Sequence, residues 1–238
     1  MYKQTIGLIG GFGGYATLDF FRRILETFHT GYERDYPRIL MDNNFTMPSR
    51  TRALLYEENI DLITGMIAES MRNLISAGAD KIILVCGTAH WFLDGVYKIV
   101  PESKEKVVDI IDLIGEKLQN DNVKKCYVIA SEGALKKQLY QKKLSAYGIT
   151  ALSVGEKDWE QIRYFIESVK RAMYSEKTKT EFGKFVISRA EMSSDDEKPR
   201  VILGCTELPL LVNDRARQFI EFVDPLENVL CYLKDNLK

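Results

Sequence analysis

Two cysteines stand where predicted strands end, in positions suited to acid–base chemistry. Cys86 lies in KIILVCGTAH, residues 81 to 90, and Cys205 lies in VILGCTELPLL, residues 201 to 211. Each follows a run of β-formers and precedes a polar turn that can open a helix. The free N–H groups and partial positive charge of a helix N-terminus lower the pKa of a nearby thiol. From a reference pKa of about 8.5, such a lowering predicts usable thiolates at both positions.

Two further polar side chains lie close to these cysteines in the chain. His90 comes four residues after Cys86, so a helix that begins between them places both side chains on one face. The alternative is an imidazole hydrogen-bonded to backbone. Glu207 comes two residues after Cys205, and it either caps its own helix N-terminus or positions a proton. A Cys–His–Cys zinc site is a third interpretation, but the chain does not show the ligand spacing that it requires.

The other two cysteines have ordinary contexts. Cys126 lies within a predicted strand and Cys231 within the predicted closing helix, and both are interpreted as small buried hydrophobes. The chain contains no CxxC pair, so we predict no metal site. The apolar run at the N-terminus is too short for a signal peptide, and no apolar stretch approaches the length of a membrane span. We therefore expect a cytoplasmic protein with four reduced thiols.

Charge and length limit the classes of function. The chain has 238 residues, with 33 Lys plus Arg against 34 Asp plus Glu and a net charge of −1. Nucleic-acid-binding proteins usually carry a basic excess, so no nucleic-acid partner is expected. The length suits one large α/β domain or two small ones.

A glycine-rich turn follows the first predicted strand. The stretch GGFGGYA contains Gly11-x-Gly13-x-x-Ala16, a loose match to the dinucleotide-binding fingerprint. Such a turn lets any anionic ligand approach backbone N–H groups, and a carboxylate suits it as well as a pyrophosphate. A nicotinamide-dependent oxidoreductase is therefore one alternative, which bound NAD would reveal.

Three cationic side chains are candidates for binding a carboxylate. Arg50 follows a proline turn in NNFTMPSRTRALL, where a guanidinium can clamp a carboxylate bidentately. Arg52, in the same stretch, is interpreted as solvent-facing. Lys170 ends a predicted amphipathic helix, and by itself it reads as an exposed lysine.

Strands and helices alternate along the whole chain, which predicts an α/β protein with mainly parallel sheets and helices on both faces. The predicted strands are Thr5–Gly10, Arg38–Asp42, Ala79–Cys86, Lys125–Ala130, Ile149–Leu152, Arg200–Cys205 and Phe219–Val223. Helices are predicted between them, including one at Gly133–Ala146, and the polar stretch MSSDDEKPR is predicted to be an exposed loop. The pattern restarts near Pro101, and the two cysteine segments match as a weak internal repeat. This predicts two similar lobes, each presenting one thiol to a shared cleft at the strand ends.

Five segments resemble the aspartate/glutamate racemases that work without pyridoxal phosphate, and the resemblance runs nearly end to end. The segments are IGLIGGFGGYATLDFF, MPSRT, VCGTAH, GCTELPLL and IRYFIESVK. The two cysteine motifs at this separation are the most specific of them. The sequence departs from the family pattern at Gly87, where asparagine is usual, and at Ser49, where aspartate is usual.

The resemblance implies a fold of two Rossmann-like lobes with a cleft between them. Residues 1–99 plus 213–238 would form the first lobe, carrying Cys86, and residues 100–212 the second, carrying Cys205. Cys86 and Cys205 would be the acid/base residues, with Arg50 and Lys170 gripping substrate carboxylates. The full predicted substrate-binding set is Gly11, Phe12, Gly13, Gly14, Arg50, Gly87, Thr88, Lys170 and Thr206, supported by His90 and Glu207.

The implied activity is cofactor-independent racemisation of aspartate or glutamate by a homodimer, with a small amino acid or dicarboxylate as the only partner. The departures at Gly87 and Ser49 leave maleate isomerase and arylmalonate decarboxylase chemistry of the same superfamily as alternatives. A non-catalytic amino-acid-binding protein is the remaining alternative.

Overall fold

The computed structural model describes residues 2–191 and 198–237, which contain two separate parallel sheets. The first sheet has the order β2-β1-β3, with β1 at Ile6–Gly10, β2 at Ile39–Asn43 and β3 at Lys81–Leu84. The second has the order β5-β4-β6-β7, with β4 at Lys125–Ile129, β5 at Thr150–Ser153, β6 at Arg200–Leu203 and β7 at Glu221–Val223. All the pairings between these strands are parallel, which confirms the predicted α/β class.

Helices connect the strands and cover the sheets. In the described residues they are α1 Gly14–Thr27, α2 Arg50–Tyr56, α3 Ile60–Ser76, α4 Leu93–Ile99, α5 Ile110–Asn120, α6 Glu132–Lys136, α7 Leu139–Ser145, α8 Trp159–Lys170, α9 Glu176–Glu191, α10 Asp214–Phe219 and α11 Pro225–Asn236. Short 3₁₀ segments, Gly87–Phe92 and Leu208–Leu211, follow the two cysteines. Nowhere in 2–191 or 198–237 is a helix both long and apolar enough to cross a membrane.

The two sheets share a hydrophobic core. Strand β1 is buried along its whole length, as expected of a parallel strand covered on both faces. Ile6 and Leu8, on one face of β1, belong to the same cluster as Val128 and Val201 of the second sheet. Ile9 belongs to a second cluster under α3. The first sheet therefore packs directly into the second lobe, which restricts how far the strand ends can move relative to each other.

The C-terminal segment differs from its predicted place. Strand β7 pairs with β6, with Val201 opposite Phe222, so it belongs to the second sheet and not to the first lobe. This pairing satisfies the backbone groups of β6 along an edge that would otherwise be open. Helix α11 then packs on both α5 and α1, between the two lobes. The other lobe boundaries stay a prediction.

One further predicted segment differs from the structure, and a second is not tested by it. The predicted helix Gly133–Ala146 is divided into α6 and α7 by Gln138, which has a φ of 53°. The predicted MSSDDEKPR loop lies mostly outside the described residues.

Asp224 joins the C-terminal helix to the first one. Its carboxylate accepts from the Leu226 N–H at 2.9 Å, which caps α11, and from Arg23 Nη1 of α1 at 2.8 Å. We predict that Asp224→Ala lowers the free energy of unfolding by about 2 kcal/mol, because it removes a helix cap and a partner of a half-buried guanidinium. Urea unfolding measures the change. Asp235→Ala, on the exposed side of the same helix, is the matched control, and equal stability losses for both variants would contradict the prediction.

Candidate active site

One cleft brings together side chains from both lobes. It has a volume of about 410 Å³, and both Cys86 and Cys205 line it. Cys86 follows β3 of the first sheet and Cys205 follows β6 of the second, so each thiol stands beyond the carboxyl end of a parallel strand. Ligands of open parallel sheets bind at such strand ends. The predicted meeting of the two strand ends therefore occurs in the structure.

Contacts on either side of the cysteines set the two loops against each other. The Thr206 hydroxyl donates to the Val85 carbonyl at 3.3 Å. A Cβ placed on Gly87 would lie 2.6 Å from the Gly204 carbonyl oxygen, so these two backbones nearly touch. Residues 85, 86 and 87 thus run antiparallel to residues 206, 205 and 204. This arrangement, which we call the cysteine bracket, brings the loop of Cys86 against the loop of Cys205.

The Cys205 thiol is hydrogen-bonded to a buried carboxylate. Its Sγ donates to Glu207 Oε2 at 2.9 Å. Burial raises the pKa of Cys205 well above its ordinary value, and the negative charge of Glu207 adds to this increase, while Lys170 opposes it. The prediction of a lowered pKa is therefore wrong for Cys205. Only a short 3₁₀ turn follows, at Leu208–Leu211, and its dipole is outweighed by burial and by Glu207.

His90 supports the backbone of Cys86 and lies outside the cleft. Its Nδ1 donates to the Cys86 carbonyl at 2.9 Å, and its Nε2 accepts from the Ile110 N–H at 3.4 Å. Burial lowers the pKa of His90, so the imidazole is neutral at pH 7. Of the two interpretations, the backbone-bonded histidine is the one observed. The side chain fixes the Cys86 loop through its carbonyl.

Arg50 is held in place by backbone carbonyls at the wall of the cleft. Its Nη2 donates to Phe12 O at 2.6 Å and its Nη1 donates to Pro48 O at 3.0 Å. The guanidinium also stacks over the Phe12 ring, with 4.9 Å between Cζ and the ring centroid. Its Nε is buried and has no hydrogen-bond partner among the described residues. Since neutral carbonyls do not cancel its charge, Arg50 is a fixed cation that suits an anionic ligand.

Lys170 lines the same cleft from the end of α8. Burial would lower the pKa of Lys170, but nearby negative charge, that of Glu207 above all, outweighs it and raises the pKa. Its nearest carboxylate, Glu167, is 3.8 Å away, which is too long for a strong hydrogen bond. Lys170 is therefore a charged ammonium facing the cleft, not the exposed lysine that its helix alone would indicate.

The glycines of the glycine-rich turn shape the cleft without lining it, whereas Phe12 of the same turn does line it. Gly11 has a φ of 78° and packs against the backbone of Asn44, where a side chain would not fit. Gly13 leaves room for the carboxylate of Glu207, and a carboxylate at that place repels a pyrophosphate. Gly14 packs near a ring carbon of Phe45. This geometry disfavours the dinucleotide interpretation.

Of the remaining predicted residues, Thr88 lines the cleft, whereas Gly87 and Thr206 form the cysteine bracket behind it. Thr88 Oγ1 lies 2.7 Å from Ser131 Oγ of the second lobe, within hydrogen-bond distance. Ser131 was not predicted. It follows β4 in the same way that Cys205 follows β6, and that shared position is the signal that could have found it.

Other lining residues also escaped prediction. They include Tyr56, Glu132, Arg163, Ile166 and Glu167. Arg163 makes two hydrogen bonds to the buried Glu132 carboxylate, which pairs its charge. Arg52 also lines the cleft, but it is largely exposed and bonds Glu58 at 3.0 Å, in agreement with its interpretation as solvent-facing.

The other two cysteines divide in their burial. Cys126 is buried, as predicted, and burial raises its pKa to about 12. Cys231 is exposed on α11, so its prediction as a buried hydrophobe is wrong. The apolar face of α11 is formed instead by residues such as Leu226, Val229 and Leu233.

We predict that Glu207→Gln moves the alkylation of Cys205 to lower pH. Glutamine keeps a hydrogen-bond acceptor but removes the negative charge that raises the pKa of Cys205, so the thiolate forms at lower pH. The measurement is the pH dependence of iodoacetamide labelling of Cys205, by mass spectrometry in a Cys86→Ser background. The midpoint is expected to fall. Glu167→Gln is the control, and an unchanged or raised midpoint in Glu207→Gln would contradict the assigned charge effect.

Comparison with known proteins agrees with this architecture. The chain resembles the structure of Picrophilus torridus aspartate racemase, with 24% identity, a TM-score of 0.77 and coverage of 99% of this chain and 96% of that one. It also resembles glutamate racemase from Campylobacter jejuni subsp. jejuni, with 22% identity, a TM-score of 0.65 and coverage of 99% and 88%. A third similar structure is glutamate racemase from Francisella tularensis subsp. tularensis in complex with D-glutamate, at 19% identity, a TM-score of 0.66 and coverage of 98% and 80%.

These similarities establish the fold only. Structural similarity at such low sequence identity does not by itself show which reaction a protein catalyses. The sequence model of the family described as Asp/Glu/Hydantoin racemase matches residues 9–229. This match spans most of the chain and includes both cysteines, Arg50 and Lys170. The chain therefore belongs to the Asp/Glu/Hydantoin racemase family, a family of isomerases.

Proposed function

We propose that this protein racemises an acidic amino acid, aspartate or glutamate, without a cofactor, and that Cys86 and Cys205 are its two acid/base residues. The observation that supports the proposal most strongly is the cysteine bracket, which brings together the two cysteine loops at a cleft that both thiols line. Racemisation removes the α-proton from one face of the substrate and delivers a proton to the other. Two thiols on opposite walls can do both without turning the substrate over.

The proposed mechanism requires the two thiols to be in different protonation states. Cys205 is a protonated thiol at neutral pH, because burial and the Glu207 carboxylate disfavour its thiolate. In one direction Cys205 is therefore the proton donor, and Cys86 as thiolate removes the α-proton. In the other direction Cys205 must lose its proton. Lys170, whose charge favours the Cys205 thiolate, then offsets part of the cost.

Substrate carboxylates have two matching cations. Arg163 and Arg52 are hydrogen-bonded to Glu132 and Glu58. Arg50 donates to neutral carbonyls, and Lys170 lies 3.8 Å from Glu167, beyond hydrogen-bond distance. Removal of an α-proton moves negative charge onto the adjacent carboxylate. Fixed cations beside that group stabilise the transition state, since they need no reorganisation when the charge develops.

Two further features of the proposal come from the family resemblance: a homodimer, and an amino acid or small dicarboxylate as the ligand. A cytoplasmic location is proposed from the sequence. The free state of all four cysteines is compatible with a reducing compartment.

We predict that Cys86→Ser and Cys205→Ser each lower racemisation by about 10²- to 10⁴-fold, the usual contribution of a positioned acid or base. The purified protein is incubated in D₂O with a panel of L- and D-amino acids that includes aspartate and glutamate. Proton NMR at the α-carbon then reports exchange, and chiral chromatography reports inversion. Cys231→Ser, which changes an exposed thiol, is expected to leave both rates unchanged. Substantial activity in either active-site variant would rule out the two-thiol mechanism, and a wild-type protein that exchanges none of the panel would rule out the proposed function.

We predict that Lys170→Met raises the KM for the racemised amino acid by about 10- to 100-fold. This corresponds to the loss of a charge-assisted hydrogen bond worth about 1.5–3 kcal/mol. Lys177→Met, which changes an exposed lysine on α9, is the matched control and should leave KM unchanged. Initial rates over a range of substrate concentrations provide both values, and equal KM values for the two variants would refute a carboxylate-binding role for Lys170.

A further inference from the structure

Tyr140 reaches both cysteine loops from the second lobe. It lies in α7, and only 1% of its surface is exposed. Its hydroxyl donates to the Gly204 carbonyl at 2.9 Å. Gly204 directly precedes Cys205, so this hydrogen bond holds the backbone that carries one of the two thiols.

Two glycines make room for this tyrosine. A Cβ on Gly204 would lie 2.8 Å from Cε2 and 3.0 Å from Cζ of the Tyr140 ring. A Cβ on Gly87 would collide with the Tyr140 hydroxyl oxygen. Real Cβ atoms do not approach other atoms so closely, so the ring and hydroxyl fill the space that these two residues leave by lacking side chains. One glycine follows Cys86 and the other precedes Cys205, and Tyr140 contacts both.

The contact with Tyr140 gives a physical reason for the presence of glycine at position 87. Glycine replaces the asparagine usual at this position, and no larger residue fits beside the Tyr140 hydroxyl unless the loop shifts. Glycine at 87 and tyrosine at 140 are therefore coupled by packing. The pair decides how closely the Cys86 loop approaches Gly204.

The Tyr140 hydroxyl serves as a hydrogen-bond donor. Burial raises its pKa well above the ordinary value, and negative charge on Cys205 and Cys86 raises it further. Since its pKa is raised above an ordinary value that already lies well above neutrality, the hydroxyl keeps its proton at neutral pH. It donates to a carbonyl and does not itself act as an acid or base.

We propose that Tyr140 is a positioning residue for racemisation, which sets the spacing of Cys86 and Cys205 by holding the Gly204 carbonyl and by filling the gap beside Gly87. The inference rests on the proposed function, because spacing matters only if both thiols act on one substrate. A shift of about 1 Å between reacting groups can reduce a rate about 10²-fold. The proposed substrate-binding cations, Arg50 and Lys170, lie on α2 and α8, so we expect them to stay in place when the cysteine loops shift.

The test is Tyr140→Phe, which removes the hydroxyl and keeps the ring. The expected result is a kcat at least about 10-fold lower for both enantiomers, with KM within about 3-fold of wild type. Calorimetric titration with the racemised amino acid counts the binding-competent sites, and kcat is expressed per such site. Tyr232→Phe, which changes a half-buried tyrosine on α11, is the control and should match the wild type.

A purely structural role would lower the number of competent sites and leave kcat per site unchanged, and this outcome would overturn the inference, as would a wild-type kcat. If Tyr140→Phe does not fold, Gly87→Ala tests the same contact from the other loop, with the same expected loss of kcat per site. A wild-type kcat per site in that variant would overturn the inference too. Absence of racemisation in the wild-type protein would instead refute the proposed function itself, and the positioning role with it.

Discussion

The architecture depends on one contact, the antiparallel apposition of residues 85 to 87 against residues 204 to 206. The two sheets present the ends of β3 and β6 to each other, and a shared core under β1 keeps them in register. The Thr206 hydroxyl ties one end of the apposition to the Val85 carbonyl, and the close approach of Gly87 to Gly204 forms the other. Neither lobe could create this arrangement alone. The cleft, its two thiols and the cations around them follow from it.

Charge then distinguishes two residues that the sequence makes look alike. Cys86 is held through its carbonyl by a neutral His90, whereas the Cys205 thiol donates directly to the Glu207 carboxylate. Gly13 of the first lobe leaves the space that this carboxylate fills. A repeat that is symmetric in sequence is therefore asymmetric in electrostatics. This asymmetry suits a reaction that needs one protonated thiol and one thiolate at the same time.

Local signals in the sequence were sufficient to predict the strands, the α/β class and the positions of Cys86 and Cys205 after strand ends. A buried parallel strand and the turn after it are encoded by adjacent residues. The same signals could not show that Ser131 completes the cleft beside Thr88, since that contact joins distant parts of the chain. The family resemblance misplaced β7 in the first lobe, and local signals could not correct this, because the sheet that a strand joins depends on distant residues. Cys231 was misjudged because it was interpreted by its residue type, although it lies off the apolar stripe that Leu226, Val229 and Leu233 form on α11.

Both sulfurs are proposed to flank the same bound molecule, and differential alkylation distinguishes this arrangement from one in which only one cysteine contacts the substrate. The wild-type protein is labelled with iodoacetamide at increasing concentrations of the racemised amino acid, and mass spectrometry follows each cysteine separately. We predict that Cys86 and Cys205 are protected from alkylation with the same half-saturating concentration of the amino acid, while the exposed Cys231 continues to react. Protection of only one of the two, or protection at clearly different concentrations, would contradict it.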